Sequence, residues 1–289
     1  MIVLKWIKKN LLFVIVGLLL AAYAFSVIYS LLWGLLSTIK KYSDFINDPI
    51  GLPKQLDFSN WARAFSELKI TQENKTYYME HMLLNSVIYA VGCAFLQTLT
   101  GCVSAYLCSK YKFFYSKIIY GIVIVTMILP IVGSLPSEIQ MLQAIGLYGT
   151  FAGVFVMKMN FLGLYFLVFY AAFKSISWSY AEAAFIDGAS HFRVMTRIML
   201  PLVKSTFLAI FMLNFIGYWN DYQAPMIYLA NHPTMAYGLF YMRFVSTSSF
   251  GKAPMQLTGC MLLTIPCFVL FMIFQKRLMG NLTVGGIKG

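Results

Sequence analysis

From Leu11 to Leu36 the chain runs without a single charged side chain. About 20 apolar residues of α-helix cross the hydrocarbon core of a bilayer, so this run is long enough to span one. Further apolar runs lie near Met82 to Cys108, Lys117 to Leu135, Leu147 to Phe173, Leu202 to Pro225 and Leu257 to Leu278. With 60% hydrophobic and 11% charged residues, the chain stands far from the roughly 45–50% apolar and 25% charged content of soluble domains. The expectation is an all-α membrane protein of six transmembrane helices. Ala22-Tyr23-Ala24 has the small-residue pattern of a signal-peptidase site. The apolar run continues past it, however, beyond the roughly 7–15 residues of a signal-peptide core, so the first helix is read as uncleaved.

A net charge of +12 invites a nucleic-acid reading, but that needs basic residues gathered on one water-exposed face. Here they sit between apolar runs, as the positive-inside rule requires of a membrane protein. An even number of spans behind a basic N-terminus (Lys5, Lys8, Lys9) puts both termini in the cytoplasm. Lys110, Lys112, Lys117, Lys174, Arg193, Arg197, Lys204, Lys276, Arg277 and Lys288 then fall on the same side. The longest polar stretch, Ser37 to His81, balances its basic and acidic residues and reads as external. Later outer loops hold only Arg243 and Lys252. The five cysteines lie in apolar stretches without a C-x-x-C pair, and are read as small packing residues.

No phosphate-binding G-x-x-x-x-G-K-[ST] loop occurs, so ATP is not bound here by that route. The stretch between the fourth and fifth apolar runs, Ser175 to Pro201, carries the signals of two short helices. Ser177 or Ser179 is placed to cap the first, with Glu182 three residues after Ser179 as in a capping box. Gly188 supplies a left-handed end, and Ser190 starts the second helix. There Arg193 and Arg197 share a face, opposite Met195, Ile198, Met199 and Leu202. Pro201 marks the step into the next span. Physics alone leaves two readings open: an amphipathic connector lying on the lipid surface, or a rigid knuckle able to transmit a push.

The order Glu182-Ala183-Ala184, Gly188, then Ile198, Leu200 and Pro201 resembles the signature of binding-protein-dependent ABC importer permeases, with every motif position filled. The length, span count and Leu282 to Gly289 ending are similar to the maltose-permease G-type subunits of the carbohydrate uptake group. The resemblance implies a type-1 ABC importer permease fold with a cytoplasmic coupling helix that docks on an ATP-binding subunit. It assigns that docking to Glu182, Ala183, Ala184, Asp187, Gly188, Arg193, Ile198, Leu200 and Pro201. It also implies a heterodimer with a second, homologous permease, two ATP-binding subunits holding ATP and Mg²⁺, an extracytoplasmic substrate-binding protein, and a sugar or oligosaccharide as substrate. No cofactor or metal is expected in this chain, and no catalytic residue. The expected divisions are residues 1–81 (first helix and external segment), 82–280 (permease core) and 281–289 (cytoplasmic tail), in a bacterial plasma membrane.

For the pathway, Lys158 is the charge placed well inside an apolar run, with Asn160 beside it; such a residue is either functional or snorkels to the surface. Asn214, Tyr218, Trp219 and Asn220 cluster near the outer end of the fifth run. Aromatic faces and amides suit a sugar, while an interfacial aromatic belt and a helix–helix hydrogen bond explain the same residues without a ligand. An ion-coupled secondary transporter would need carboxylates within the membrane, and of the ten acidic residues only Asp221 touches the end of a run. A membrane-embedded transferase would need a catalytic cluster, whereas His81, His191 and His232 are scattered over loops.

Overall fold

The computed structural model describes residues 10–72, 75–111, 113–129, 133–244 and 252–282. Lys5, Lys8, Lys9, Lys112 and the 283–289 tail lie outside them. In chain order the elements are α1 (Leu11–Thr38), α2 (Tyr42–Asn47), α3 (Ser59–Glu67), a hairpin of β1 (Lys69–Gln72) and β2 (Lys75–Tyr78), α4 (Met79–Lys110), α5 (Phe114–Ile128), α6 (Leu135–Ala144), α7 (Phe151–Lys158) and α8 (Leu164–Ser175). Then come α9 (Ser179–Ile186), α10 (His191–Val194), a π turn (Met195–Met199), α11 (Leu200–Leu202), α12 (Lys204–Asn220), α13 (Gln223–Tyr228), α14 (Met235–Phe244) and α15 (Ala253–Leu282). Among the described residues the fold is helical apart from the hairpin, which with α2 and α3 occupies the stretch read from sequence only as an external segment.

The chain forms two compact units. The first comprises residues 1–69 and 241–262. In it α1 is apolar all round and exposed along most of its length; only Gly34, Ser37 and Thr38 are buried. Such a helix is built for lipid or another subunit. A Cβ on Gly34 would fall 2.6 Å from Met261 Cε, so glycine is what lets α15 approach there. The orphan carbonyls that end α1 are satisfied by Asn60, whose amide donates to the Thr38 and Lys40 carbonyls at 2.9 Å each. Trp61 Nε1 donates to Thr38 Oγ1 at 3.0 Å. The stem of Lys40 is buried, and its ammonium donates to the Asp48 carbonyl at 2.9 Å.

The second unit comprises residues 70–240 and 263–289. Its axis is α4, 32 residues long and so about 48 Å at ~1.5 Å per residue, packed chiefly against α12 and α8. Its inward face reads Ser86, Tyr89, Ala90, Cys93, Ala94, Thr98, Cys102 and Ala105, all but Tyr89 small side chains that let neighbouring helices come close. Cys93, Cys102 and Cys108 are buried and free. A Cβ on Gly92 would meet the Phe155 ring at 2.4 Å, so α7 leans on α4 at that point.

Among the described residues α1, α4 and α15 are long and apolar enough to cross a membrane, and α10 to α12 add a fourth only as a pair bent by 76°. The remaining expected runs are shorter or broken. The 15 residues of α5 rise about 23 Å, less than a bilayer core of roughly 30 Å. The Leu147 to Phe173 run divides into α7 and α8 because Asn160 Oδ1 accepts from Leu162 N (2.7 Å) and Gly163 turns with φ of 126°, a conformation open mainly to glycine. The Leu202 to Pro225 run starts only at Lys204 and stops at Asn220. There Asp221 Oδ1 accepts from the Gln223 and Ala224 N–H groups (3.0 and 3.1 Å) and starts α13 instead.

Candidate functional site

Two sets of residues stand out in the second unit, and both are built on α4. At its C-terminal part, Cys102, Ala105 and Tyr106 form a core with Phe169 and Phe173 of α8 and with Ala181, Ala184, Val194 and Met199 of the Ser175 to Pro201 stretch. Ala181 and Ala184, three apart on α9, are buried, so the helix rests on its alanine face. Glu182, Ala183 and Asp187 are turned outward, and Ile186 is 86% exposed. Among the described residues the Glu182 carboxylate makes no hydrogen bond or ion pair.

The caps differ from the sequence expectation at one end and match it at the other. Ser179 is already the first residue of α9; Trp178 is the N-cap and Glu182 N bonds to the Trp178 carbonyl at 3.1 Å. The capping box therefore does not form, and Ser177 Oγ accepts from Ser179 N (3.3 Å) just outside the helix. At the other end Gly188 has φ of 77°, its N–H donating to the Phe185 carbonyl at 3.0 Å while Ala189 N donates to that of Ala184 at 2.9 Å. That pair of bonds is a Schellman motif. Ser190 Oγ then accepts from Arg193 N at 3.4 Å and begins α10.

The second helix is not continuous. After Val194 the ladder widens to a π turn in which Leu200 N reaches back five residues to the Met195 carbonyl. Pro201 has no N–H to return to Arg197, which removes a bond that would otherwise hold α-helical pitch. Arg193 and Arg197 are both exposed, Met199 is buried and Ile198 and Leu200 partly so. The knuckle is clamped to α4 by aromatic groups. Tyr111 packs edge-on against Trp178 (5.6 Å) and its hydroxyl meets His191 Nδ1 at 3.0 Å; the His191 ring lies 4.8 Å from that of Phe185. Lys110 Nζ donates to the Ile176 carbonyl at 2.5 Å. His191, read from sequence only as one of three histidines scattered over loops, is part of this clamp. Its partner Tyr111 is some 80 positions away, so no local pattern announced it.

Nearer the N-terminal end of α4 lies a polar network. Tyr89 OH donates to Asp221 Oδ2 at 2.7 Å and its ring stands edge-on to Tyr218 (5.7 Å). Tyr218 OH donates to Gln97 Oε1 at 2.8 Å, and the Lys158 ammonium sits 5.5 Å from the Tyr218 ring centroid, a cation–π contact. Asn214 is buried and donates to Thr98 Oγ1 at 3.0 Å. Trp219 is buried too, its N–H given to the Leu263 carbonyl (3.0 Å) and its ring stacked on Phe215. Asn220 is exposed and donates back to the Ile216 carbonyl at 2.9 Å; Asn160 is exposed at the α7–α8 break. Lys158 thus sits in the last turn of a short helix, where the dipole favours a cation, and not in the middle of a long span.

Sequence reasoning missed Tyr89, Gln97 and Glu138. Glu138 of α6 accepts from the Tyr228 hydroxyl. That bond, with help from Ser134 and the Lys158 charge, holds its carboxyl below the usual range. Among the described residues no cluster of three or more His, Cys, Asp or Glu is placed to hold a metal ion.

An exposed knuckle thus lies at one end of α4 and a polar network nearer the other. Residues 97–283 match the family described as binding-protein-dependent transport system inner membrane component, and the chain belongs to it. The resemblance read from Glu182 to Pro201 is therefore correct. The chain is 26% identical to the diacetylchitobiose uptake system permease protein NgcG of Streptomyces coelicolor, over 93% of this chain and 87% of that protein. It is 26% identical to the arabinooligosaccharides transport system permease protein AraQ of Bacillus subtilis, over 88% of each chain. Its fold is similar to a chain of a bacterial ABC transporter involved in the import of the acidic polysaccharide alginate, with a TM-score of 0.77, 22% identity and 93% and 97% of the two chains covered.

Proposed function

We propose that this chain is one permease half of an ATP-driven importer of a sugar or oligosaccharide in a bacterial plasma membrane. The observation that carries the reading is the knuckle: α9 buries its alanine face in the core it shares with α4, ends in a Schellman turn and presents Glu182 and Ile186 outward, while α10 presents Phe192; Ile186 and Phe192 are 86% and 71% exposed. A rigid helix with an uncovered carboxylate and uncovered apolar side chains fits a socket on another protein. The relatives are permeases of sugar uptake systems, which supports carbohydrate as the cargo.

In this reading Glu182, Ala183, Asp187, Gly188 and Arg193 meet an ATP-binding subunit, while Ala184, Ile198, Leu200 and Pro201 hold the knuckle in shape. Two such subunits carry ATP and Mg²⁺, a second homologous permease completes the pathway, and an extracytoplasmic binding protein delivers cargo. Six spans place both termini in the cytoplasm, with α5, α7–α8 and α12 completing the crossings begun by α1, α4 and α15. Residues 1–81, 82–280 and 281–289 are the first helix and external segment, the permease core and the tail. Lys158, Asn160, Tyr218 and Asn220 line the pathway, with Asn214 and Trp219 holding α12 from behind.

Closure of the ATPase pair pulls α9; the clamp through Tyr111 and His191 passes the movement to α4, and the bent α10–α12 pair passes it to the polar network. The test is affinity purification of the tagged chain in mild detergent. The expected result is recovery of a second permease and an ATPase whose activity rises with sugar-loaded binding protein. A chain that purifies alone and supports no energised sugar uptake rules the reading out.

A further inference from the structure

A cavity of about 520 Å³ opens in the second unit where β2 meets the start of α4, within the roughly 300–1,000 Å³ range of small-ligand sites. Its walls are pinned. Asn85 Nδ2 donates to the Pro233 carbonyl at 3.0 Å and Ser86 Oγ accepts from Met235 N at 2.8 Å, tying the turn before α14 to α4. Lys75 and Tyr77 come from β2, His81 and Asn85 from α4, and Asn231 and His232 from that turn. Two histidines scattered in sequence thus face one space.

The donor set has a definite chemistry. Among the described residues no carboxylate lines the cavity; Glu80, beside His81 in sequence, stands 4.0 Å from its Nδ1. His232 is held edge-on to Phe151 at 5.0 Å, and its Nδ1 is buried with no hydrogen-bond partner among the described residues. A neutral histidine ring offers one N–H donor in either tautomer, and the His232 ring lines the cavity. An ammonium, a phenol, two amides and imidazole donors, with Leu84 as an apolar patch, suit an oxygen-rich ring that bears a negative charge.

We propose that this cavity binds the carboxylated ring of an acidic sugar, with Lys75 and His232 on the carboxylate, Asn231 on ring hydroxyls and Tyr77 against the ring face. The inference rests on the reading of the chain as a sugar permease and adds a substrate class and a site outside the Lys158–Tyr218 network.

The test is binding of glucuronate, glucose and acetate to the full chain in lipid nanodiscs, followed by saturation-transfer NMR and calorimetry. Glucuronate is expected to bind saturably, with glucose and acetate each weaker by about tenfold or more. Lys75→Met and Asn231→Leu are each expected to weaken glucuronate by a similar factor, the scale of losing a hydrogen bond to a charged group. Lys75 is exposed on a strand, so its substitution leaves folding intact. Equal affinity for glucose overturns the acidic preference, equal affinity for acetate overturns recognition of a ring, and absence of saturable glucuronate binding, or binding untouched by both variants, overturns the site. None of these measurements uses an ATPase, so the site can fail while co-purification with partner subunits still succeeds.

Discussion

At Gly188 a Cβ would meet no atom within 4 Å, so space does not explain the glycine. The backbone does: φ is 77°, and a residue with a Cβ held there costs about 1–2 kcal/mol. Gly188→Ala is expected to loosen the Schellman turn and lower sugar-stimulated ATP hydrolysis and uptake together, while the permease still inserts. Asn tolerates the left-handed region better than other side chains, so Gly188→Asn should retain most of the coupling. If the two variants behave alike in a reconstituted uptake assay, the turn's conformation is not what the ATPase partner reads. In sequence Glu182, Gly188 and Pro201 are singled out by the resemblance to a family signature, and the structure puts Gly188 at a left-handed turn and Pro201 after the π turn. His191 is not singled out, because its role depends on Tyr111, which folding and not sequence brings near.

Helix α12 shows what one buried amide does for an element. Asn214 donates to Thr98 across the α4–α12 contact at 3.0 Å, buried from solvent. In membranes such bonds average about 0.6 kcal/mol and reach about 1.7. Asn214→Leu and Thr98→Val are each expected to lower resistance to thermal unfolding in detergent. The double variant should lose less than the sum, because the second substitution removes a partner already unpaired. Additive losses would mean that the two side chains do not act as a pair.

Elements were legible where one run made one helix, as for α1, α4 and α15. They were not where a polar residue inside a run took a local bond. Asn160 and Asp221 each follow the end of a helix that hydropathy alone would extend, Gly163 starts the next one, and the π turn before Pro201 leaves no trace in an apolar count. Of the candidate pathway residues, Lys158 and Tyr218 do meet, but Trp219 spends its N–H on α15, which composition could not show.

Across the whole molecule the largest uncovered apolar surface described is α1. Leu12, Phe13, Leu18, Leu19 and Tyr23 are all well exposed, in a helix with no ionisable group except Tyr23 and Tyr29. On the proposed reading either acyl chains or a second permease covers it. Leu19→Trp is expected to be quenched by brominated lipid in the isolated chain, and to be quenched less in the assembled transporter only if the partner permease sits against α1. Absence of quenching in the isolated chain would remove α1 from the bilayer.

Tyr89 and Tyr106 lie on the same 32-residue helix, 17 positions and so about 25 Å apart along its axis at ~1.5 Å per residue. One meets the carboxylate of Asp221, the other the ring that carries the knuckle. A single unbroken strut has no joint at which the two ends can fall out of phase. On the reading proposed above, timing is a property of the helix itself: the signal that fuel has been bound would arrive beside the cargo as a displacement, without a messenger in between.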